Sequence, residues 1–294
     1  SFAPAGDGHL WLASNHGLLR LDPRQRRIEH VRVPSLDGVS LRTLTVDRSG
    51  ALWLGSQGLG AFRYRPASGE VTHFPHADGG DDAVSYPVVN AIAEDRHGHV
   101  WLGTGDGLDV LDPVSGRIRH FRHPADHPAS LPGNRVRDLH LAQDGTLWVG
   151  THAGLSRVVE AANGQVRFEH PLTGAFGGNR VPVVFSIAES PAGRLWLGTQ
   201  AGIIGFDTRT QRTRSYGLAD GLQDLEFHGG SVAQLRDGRV ALGGIRGLNL
   251  FDPARWTDSA YTPPLRLLGA WIAADNSDSG VPWQTTRLDV ADGE

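Results

Sequence analysis

The sequence predicts an all-β protein, a β-propeller of four-stranded antiparallel blades in which six repeats are visible. One observation is a short phrase, LWLGT or a close variant, that recurs along the chain. Its central position is held in turn by Trp11, Trp53, Trp101, Trp148, Trp196 and Ala241. The intervals run from 42 to 48 residues, and a β-rich repeat with a period in the forties is typical of propeller blades. A second observation is that the sequence lacks the apolar stripes of period 3.6 that helical repeats need.

Each repeat divides into four short strand-like runs. In the second repeat these runs are LRTLTVD (41–47), ALWLGS (51–56), AFRYRP (61–66) and EVTHFP (70–75). β-Branched and aromatic residues alternate with others in them, and turn residues separate them. Four antiparallel strands form one blade of a propeller. We therefore expect a propeller over residues 1–256 with a truncated first repeat, as a six-bladed ring or as part of a seven-bladed or larger one.

The turn residues and the tryptophans have separate structural roles. The turns DRSG (47–50) and DRHG (95–98) place a glycine where a hairpin needs positive φ. In the strand that follows, the Leu-Trp-Leu triplet is apolar on both faces, so both faces must be covered, as they are between two neighbouring blades. We therefore expect Trp148 and its equivalents to be buried.

Composition excludes several classes of function. The chain has 294 residues, of which 39% are hydrophobic and 20% charged, which is enough to bury a core. A formal net charge of −4 argues against nucleic acid as a partner. The absence of cysteine excludes disulfides and thiolate chemistry. No apolar run is long enough to span a bilayer, and the start, SFAPAGDGHLW, resembles no leader, so we expect a fragment of a longer protein without a membrane segment of its own.

The repeat itself carries a resemblance to a known family. The segment VVNAIAEDRHGHVWLGTGDGL (88–108) resembles the two-component regulator propeller repeat, and the resemblance extends over residues 1 to about 253. The segment 225–253 is similar to the terminal repeat of that family. Residues 263–294 resemble the opening of the β-sandwich that follows the propeller in such receptors. The resemblance therefore implies a second domain over 257–294, a linker and the first strands of a sandwich.

The resemblance implies a function in signalling. Members of the family form the periplasmic sensor region of bacterial inner-membrane receptors whose cytoplasmic output is a histidine kinase or a diguanylate cyclase. The full receptor is then expected to be a homodimer, and this chain is expected to bind a small molecule or glycan fragment. The family shares no universal catalytic set, so the resemblance implies no catalytic residue, no cofactor and no metal in this chain.

Candidate ligand-binding residues lie on one face of the predicted disc. The turns between the second and third strands share this face with the connections between blades, and both vary in sequence, as binding loops on a rigid scaffold commonly do. The turns contribute His16, Gln57, Asp106, His152, Gln200 and Arg246. The residues that enter the innermost strands, and so would surround the central channel, are Arg42, Asn90, Arg135, Arg180 and His228. Such a set suits an anionic or polyhydroxylated ligand, such as an organic acid or a glycan fragment; alternatively, these side chains cap turns and bind loop carbonyls.

Two clusters contain metal-ligating residue types. HFRHPADHP holds His120, His123, Asp126 and His127, but it spans an outer strand and its exit loop rather than a helix or a tight knuckle. HADGGDDA (76–83) lacks the alternating ligand order of a calcium loop. Solvated surface residues are the simpler interpretation of both clusters.

Two other classes of function stay open beside a sensor. The lyase that inactivates streptogramin antibiotics has similar DGxLWxT blades, so the chain could be a lyase or a hydrolase; such an enzyme needs a base with a perturbed pKa next to a second polar group. A purely structural propeller that mediates receptor dimerisation would instead present an exposed apolar patch. The sequence contains no G-x-S-x-G nucleophile motif, and GTGDG precedes a strand, so it is not a phosphate loop.

Overall fold

A computed structural model of the chain describes residues 1–77, 82–123, 130–160, 165–176, 181–191 and 193–255. The chain divides into two compact units, Ser1–Trp256 and Thr257–Glu294. The first unit contains all of the strands given below. The predicted β-sandwich over 257–294 lies outside the described residues and stays a prediction.

The first unit is a six-bladed β-propeller, as the sequence predicts. Six antiparallel sheets follow one another along the chain, each built from consecutive strands. Blades 1 to 3 hold strands β1–β12, which run over Phe2–Pro4, Leu10–Ser14, Gly17–Asp22, Arg27–His30, Leu41–Val46, Leu52–Ser56, Ala61–Arg65, Glu70–Phe74, Val89–Glu94, Val100–Thr104, Gly107–Leu111 and Ile118–Phe121. Blades 4 to 6 hold strands β13–β23, which run over Val136–Leu141, Leu147–Thr151, Gly154–Glu160, Val166–Glu169, Val184–Glu189, Arg194–Thr199, Gly202–Asp207, Thr213–Tyr216, Phe227–Gln234, Val240–Gly244 and Gly247–Phe251. In the second blade every predicted strand boundary is within one residue of the observed one.

The blades are arranged in chain order around a central channel. Blades 1 to 5 have four strands each, and blade 6 has three in the described part of the chain. The innermost strands β1, β5, β9, β13, β17 and β21 contact one another in sequence. The start of each innermost strand therefore lies at the channel, and the fourth strand of each blade lies at the outer edge of the disc.

The predicted role of the tryptophans in the core is confirmed. The five tryptophans of the repeat are between 0% and 8% exposed, and each packs towards the next blade. The indole of Trp148 meets Phe206 of blade 5 edge-on at 5.9 Å, and that of Trp196 meets Phe251 of blade 6 at 4.9 Å between ring centroids. Every apolar cluster of the core joins two consecutive blades. The hydrophobic core of this fold is thus a series of interfaces between blades rather than one central mass.

The aspartate of the first turn fixes the tryptophan that follows it. Asp47 accepts hydrogen bonds from the backbone N–H groups of Ser49 and Ala51 and from Nε1 of Trp53, at 2.9 to 3.0 Å, and Arg63 donates to the same carboxylate at 2.9 Å. Burial raises the pKa of Asp47, but these hydrogen bonds outweigh burial, so its pKa lies below the ordinary value. Gly50 closes the turn at φ +84°, as the hairpin requires.

The hydroxyl of the phrase G-T-x-x-G stabilises the second turn. Thr104 Oγ1 donates to the carbonyl of Gly107 at 2.9 Å and accepts from the N–H of Asp106 at 3.1 Å. Thr151 and Thr199 make the equivalent bonds in blades 4 and 5. The repeated Thr and Gly are therefore explained by turn geometry.

Arginine residues of the first turns connect neighbouring blades. Arg48 of blade 2 donates to the backbone carbonyls of Asp95 and Arg96 in blade 3. Arg96 in turn donates to the carbonyl of Gln143 in blade 4 at 2.9 Å. This face of the disc is therefore stabilised by hydrogen bonds from one turn to the next.

The two end blades each leave one apolar face exposed. In blade 3, Leu108 and Val110 lie beside the repeat tryptophan and are buried under the next blade. Their counterparts in blade 6, Leu248 and Leu250, are 54% and 46% exposed beside Ala241. In blade 1 the exposed face is the one turned away from blade 2.

On that face of blade 1, Leu10 and Leu12 are partly exposed, whereas their counterparts Leu52 and Leu54 in blade 2 are fully buried. Phe2 is 56% exposed. The end blades therefore each have one covered and one uncovered side. Within the described ranges, no helix has the length and apolar character needed to cross a membrane.

Candidate functional site

In blades 2 to 5 the second residue of the innermost strand has no partner in the neighbouring strand. In β5, for example, Leu41 pairs with Ser56 and Thr43 with Gly55, so Arg42 forms a one-residue bulge. The same register shift occurs in blades 3, 4 and 5 and places Asn90, Arg137 and Phe185 in the equivalent position. Bulges re-aim side chains and are frequent next to functional sites. Three of these four residues, Arg42, Asn90 and Arg137, line a cavity at this end of the channel.

A cavity of about 480 Å³ occupies this end of the channel. We call it the central pocket. Its lining comes from blades 1, 2, 3, 4 and 6 and is mostly polar, with side chains from Asn15, Arg42, Thr43, Thr45, Gln57, Asn90, Arg137, Asp138 and Ser231. Its volume is within the range of small-molecule sites. Because five blades contribute, a molecule bound here would touch most of the ring at once.

Arg137 is the most constrained cation of the central pocket. Its guanidinium lies over the ring of Phe185 in blade 5, with 5.7 Å between the guanidinium carbon and the ring centroid. Among the described residues, none accepts a hydrogen bond from its buried Nε. Burial lowers the pKa of Arg137, and the positive charges of Arg135 and Arg42 lower it further. Three guanidinium groups therefore influence one another around the pocket.

Amides on the rim of the pocket are held by backbone and hydroxyl groups. Asn90 Nδ2 donates to the carbonyl of Val136 at 2.8 Å, which joins blade 3 to blade 4. Asn15 Oδ1 accepts from Ser40 Oγ at 3.3 Å, and the backbone N–H of Gln57 donates to the carbonyl of Ser40 at 2.9 Å. These contacts position the amides without engaging the side chain of Gln57.

Asp138 is the carboxyl group of the central pocket. Its Oδ2 accepts from the N–H of Ile187 in blade 5 at 2.7 Å, and its Oδ1 accepts from its neighbour Leu139 at 2.9 Å. Burial raises the pKa of Asp138 to about 7, and the two N–H donors only partly offset that effect. Asp138 therefore changes charge near neutral pH while joining two blades.

The structure brings three of the sequence-predicted residues together in the central pocket: Arg42, Gln57 and Asn90. Arg135 lies two residues before the bulge, exposed, with its carbonyl accepting from the N–H of His152 at 3.1 Å. Arg180 lies outside the described residues. His228 follows Phe227 at the bulge of blade 6 and is exposed.

The remaining predicted residues lie in the second-to-third turns, outside the lining of the central pocket. Asp106 Oδ1 accepts from Asn134 at 3.0 Å, and Arg246 lies 3.3 Å from a carboxylate oxygen of Asp224. His16 and Gln200 are exposed. His152 is partly exposed. These five side chains therefore lie in turns on the face of the disc and outside the lining of the central pocket.

Sequence reasoning missed Arg137, Asp138 and Phe185. The residues predicted to enter the innermost strands of blades 4 and 5 are Arg135 and Arg180, after loops that differ in length from those of blades 2 and 3. When the strands are aligned instead, LRTLTV (41–46) with VRDLHL (136–141), Arg137 is the equivalent of Arg42. The signal was present in the strand pattern and was obscured by the loop lengths.

The histidine-rich outer strands have local structural partners. His120 Nδ1 lies 2.7 Å from Oδ1 of the fully buried Asp109. His123 Nδ1 contacts the carbonyl of Leu131 at 2.6 Å, whereas Asp126 and His127 are outside the described residues. Over the described ranges, no three His, Asp or Glu side chains converge as metal ligands would.

Comparison with family models assigns residues 84–106 and 130–153 to the two-component regulator propeller. Two segments of the chain are therefore similar to the repeat of this family. The matched segments correspond to blades 3 and 4, which supply Asn90, Arg137 and Asp138 to the central pocket. A search of curated protein sequences found no significant match.

Several solved structures share the fold of this chain. One is described as the extracellular domain of a hybrid two-component system, BT3049 from B. thetaiotaomicron; it is 20% identical, with a TM-score of 0.68, over 86% of this chain and 38% of that one. A virginiamycin B lyase from Staphylococcus aureus is 13% identical, with a TM-score of 0.59, over 85% of this chain and 83% of the lyase. PorZ of Porphyromonas gingivalis, a surface component of the type-IX secretion system, is 15% identical, with a TM-score of 0.60, over 84% of this chain and 37% of PorZ. The chain thus spans less than half of the BT3049 domain, and these likenesses concern the fold.

Proposed function

We propose that the chain is the sensory propeller of a bacterial membrane receptor, that it lies in the periplasm, and that it binds a small molecule in the central pocket. The observation that carries the proposal is the pocket itself, because bulged residues of several blades direct polar side chains into one cavity of about 480 Å³. The repeats of the two-component regulator propeller and the fold shared with an extracellular domain of such a system support it. The output would be a cytoplasmic histidine kinase or diguanylate cyclase in a homodimeric receptor.

The arrangement of the central pocket suits signal transmission. A ligand shifts a receptor only if it binds two conformations with unequal affinity. Because Asn90 bonds blade 3 to blade 4, and Asp138 bonds blade 4 to blade 5, the pocket lies where hydrogen bonds between blades are made. A ligand that competes with or strengthens these bonds would change how neighbouring blades pack. The ligand classes that fit the lining are organic acids and polyhydroxylated molecules, glycan fragments among them.

A thermal-shift screen tests this proposal. The protein is heated with a panel of oligosaccharides, organic acids and amino acids, since a ligand that binds only the folded state raises the melting temperature. We expect at least one hit whose effect is lost in Gln57→Ala, in the pocket, and kept in Gln25→Ala, on an exposed turn of blade 1. A panel without hits, or hits that Gln57→Ala leaves unchanged, would contradict ligand binding in the central pocket.

A dimerisation module is the second candidate, and the exposed leucines of blade 6 favour it. Leu248 and Leu250 are about half exposed on one sheet face, and exposed apolar patches mark interaction surfaces. Light scattering of the wild type and of Leu248→Asp distinguishes a dimerisation module from a ligand-binding sensor. Concentration-dependent dimers that Leu248→Asp abolishes, together with an empty ligand screen, would favour the structural role.

An enzyme is less well supported by the lining of the central pocket. Asp138 has the near-neutral pKa of a general base, yet both of its oxygens already accept backbone N–H groups. The similarity between this chain and virginiamycin B lyase is one of fold, because the two sequences are only 13% identical. Turnover of a ligand found in the screen, followed by mass spectrometry, would reveal an enzyme directly.

A further inference from the structure

The central pocket carries excess positive charge. Two guanidinium groups, those of Arg42 and Arg137, belong to its lining, and Asp138 supplies the single carboxyl group among the described lining residues. That carboxyl group is occupied by the N–H groups of Ile187 and Leu139. No described carboxylate forms an ion pair with either arginine of the pocket. The two cations are therefore without an anionic partner among the residues that the structure describes.

The guanidinium of Arg137 is oriented for an anionic ligand. Stacking over Phe185 restricts the plane of the guanidinium, and its buried Nε has no acceptor among the described residues. A planar guanidinium with free N–H groups matches the two oxygens of a carboxylate, and charge-assisted bonds of this kind are roughly twice as strong as neutral ones. Leaving a buried donor without a partner is costly, so a ligand oxygen at this position would remove that cost.

The rest of the lining provides neutral hydrogen-bonding groups. The side chains of Thr43, Thr45 and Ser231 offer hydroxyls, and Gln57 offers an amide at the rim. Such groups both donate and accept, as do the hydroxyls of a polyol. A ligand that satisfies the whole pocket therefore needs an anionic end and hydroxyl groups on the same small skeleton.

We infer that the central pocket binds a small hydroxylated carboxylate, with its carboxylate on Arg137 and Arg42 and its hydroxyls on the Thr, Ser and Gln side chains. This inference rests on the proposed function and narrows it, because a neutral glycan fragment would satisfy that function equally well. A small hydroxylated acid bound in this way contacts blades 2, 4 and 6 together.

Three four-carbon probes separate the contributions of charge and hydroxyls. Tartrate carries two carboxylates and two hydroxyls, succinate lacks the hydroxyls, and threitol lacks the charge. Calorimetric titrations at pH 7 and constant ionic strength should show binding in the order tartrate, succinate, threitol, with threitol weakest. The affinity for tartrate should fall as salt is added, since salt screens exposed charges.

Arginine variants test the assigned contacts. We expect Arg137→Gln to weaken tartrate binding by about tenfold or more, because a charge-assisted pair is lost, and Arg42→Gln to weaken it less, since Arg42 is exposed. Arg117→Gln is the matched control, an exposed arginine of blade 3 outside the central pocket. Melting temperatures measured without ligand show whether each variant folds. If Arg137→Gln does not fold, the loss of tartrate binding in Arg42→Gln tests the assignment by itself.

The possible outcomes are distinct. Equal binding of tartrate and threitol, or tartrate binding that neither arginine variant weakens, overturns the carboxylate assignment. If neutral oligosaccharides bind and require Gln57, the sensor function holds while this inference falls. If none of the probes or panel compounds binds, both are overturned.

Discussion

Protonation of Asp138 should make the stability of this propeller depend on pH in an unusual direction. Burial raises its pKa from 3.8 to about 7, against the effect of the N–H groups of Ile187 and Leu139. Between these values the folded protein keeps a proton that the unfolded chain has lost. The contribution of Asp138 to the free energy of unfolding therefore decreases as pH rises from about 4 to about 7. Above pH 7 this contribution no longer changes. Most paired carboxylates, such as Asp47 with its lowered pKa, act in the opposite sense.

The magnitude follows from the shift in pKa. Each pKa unit corresponds to about 1.4 kcal/mol, so the shift at Asp138 sets a ceiling of about 4 kcal/mol on the change in unfolding free energy. Asp138→Asn removes the titration while keeping the size of the side chain and one acceptor oxygen. We expect the variant to gain stability relative to the wild type as pH is raised from 5 to 8, by about 2 to 3 kcal/mol, because the part of the shift that lies below pH 5 does not contribute in this range.

Urea denaturation at pH 5, 6, 7 and 8 measures this difference. Asp144→Asn serves as the control, because Asp144 is an exposed turn residue of the same blade that also accepts a backbone N–H. If the stability profiles of the wild type and Asp138→Asn run parallel over this range, the assignment of a near-neutral pKa to Asp138 is wrong.

Three further predictions concern the blades. Trp148→Ala should lower the free energy of unfolding by about 3–5 kcal/mol in urea titrations, because a buried indole is removed; an unchanged midpoint would contradict its role in the core. Trp53→Phe should destabilise the protein both through the smaller buried ring and through the lost 3.0 Å bond to Asp47, and its cost should be smaller by about 1 kcal/mol, the contribution of that bond, in an Asp47→Ala background. Gly103→Ala places a methyl 2.5 Å from Val136 Cγ1 and should cost about 1–3 kcal/mol, whereas Gly58→Ala, which meets nothing within 4 Å, should be nearly neutral in the same thermal assay.

Much of the fold could be predicted because its determinants are local and repeated. The apolar Leu-Trp-Leu strand requires cover on both faces, and Trp53 and Trp196 are fully buried as expected. Asp47 and Gly50 specify a turn by hydrogen bonding and by φ, both of which depend on neighbouring residues. Such features can be inferred from short segments of sequence.

The site was only partly predictable because it depends on register and distance. Arg42 and Asn90 could be placed, since they follow directly from the strand pattern of their repeats. Arg137 could be found only by aligning strands rather than loops, and its contact with Phe185 joins different blades. The raised pKa of Asp138 arises from burial in the assembled ring, which no single repeat contains.

The uncovered sides of the end blades have a consequence for how the molecule comes apart. In stacked repeats each unit is stabilised by its neighbours, and a unit with one neighbour opens more readily than one with two. Blades 1 and 6 should therefore fray first, and their amide protons should exchange with solvent before those of the middle blades. Blade 4 would be among the last to open, so Arg137 and Asp138 are anchored in the most persistent part of the array, whereas Asn15 of blade 1 and Ser231 of blade 6 belong to the parts that open first.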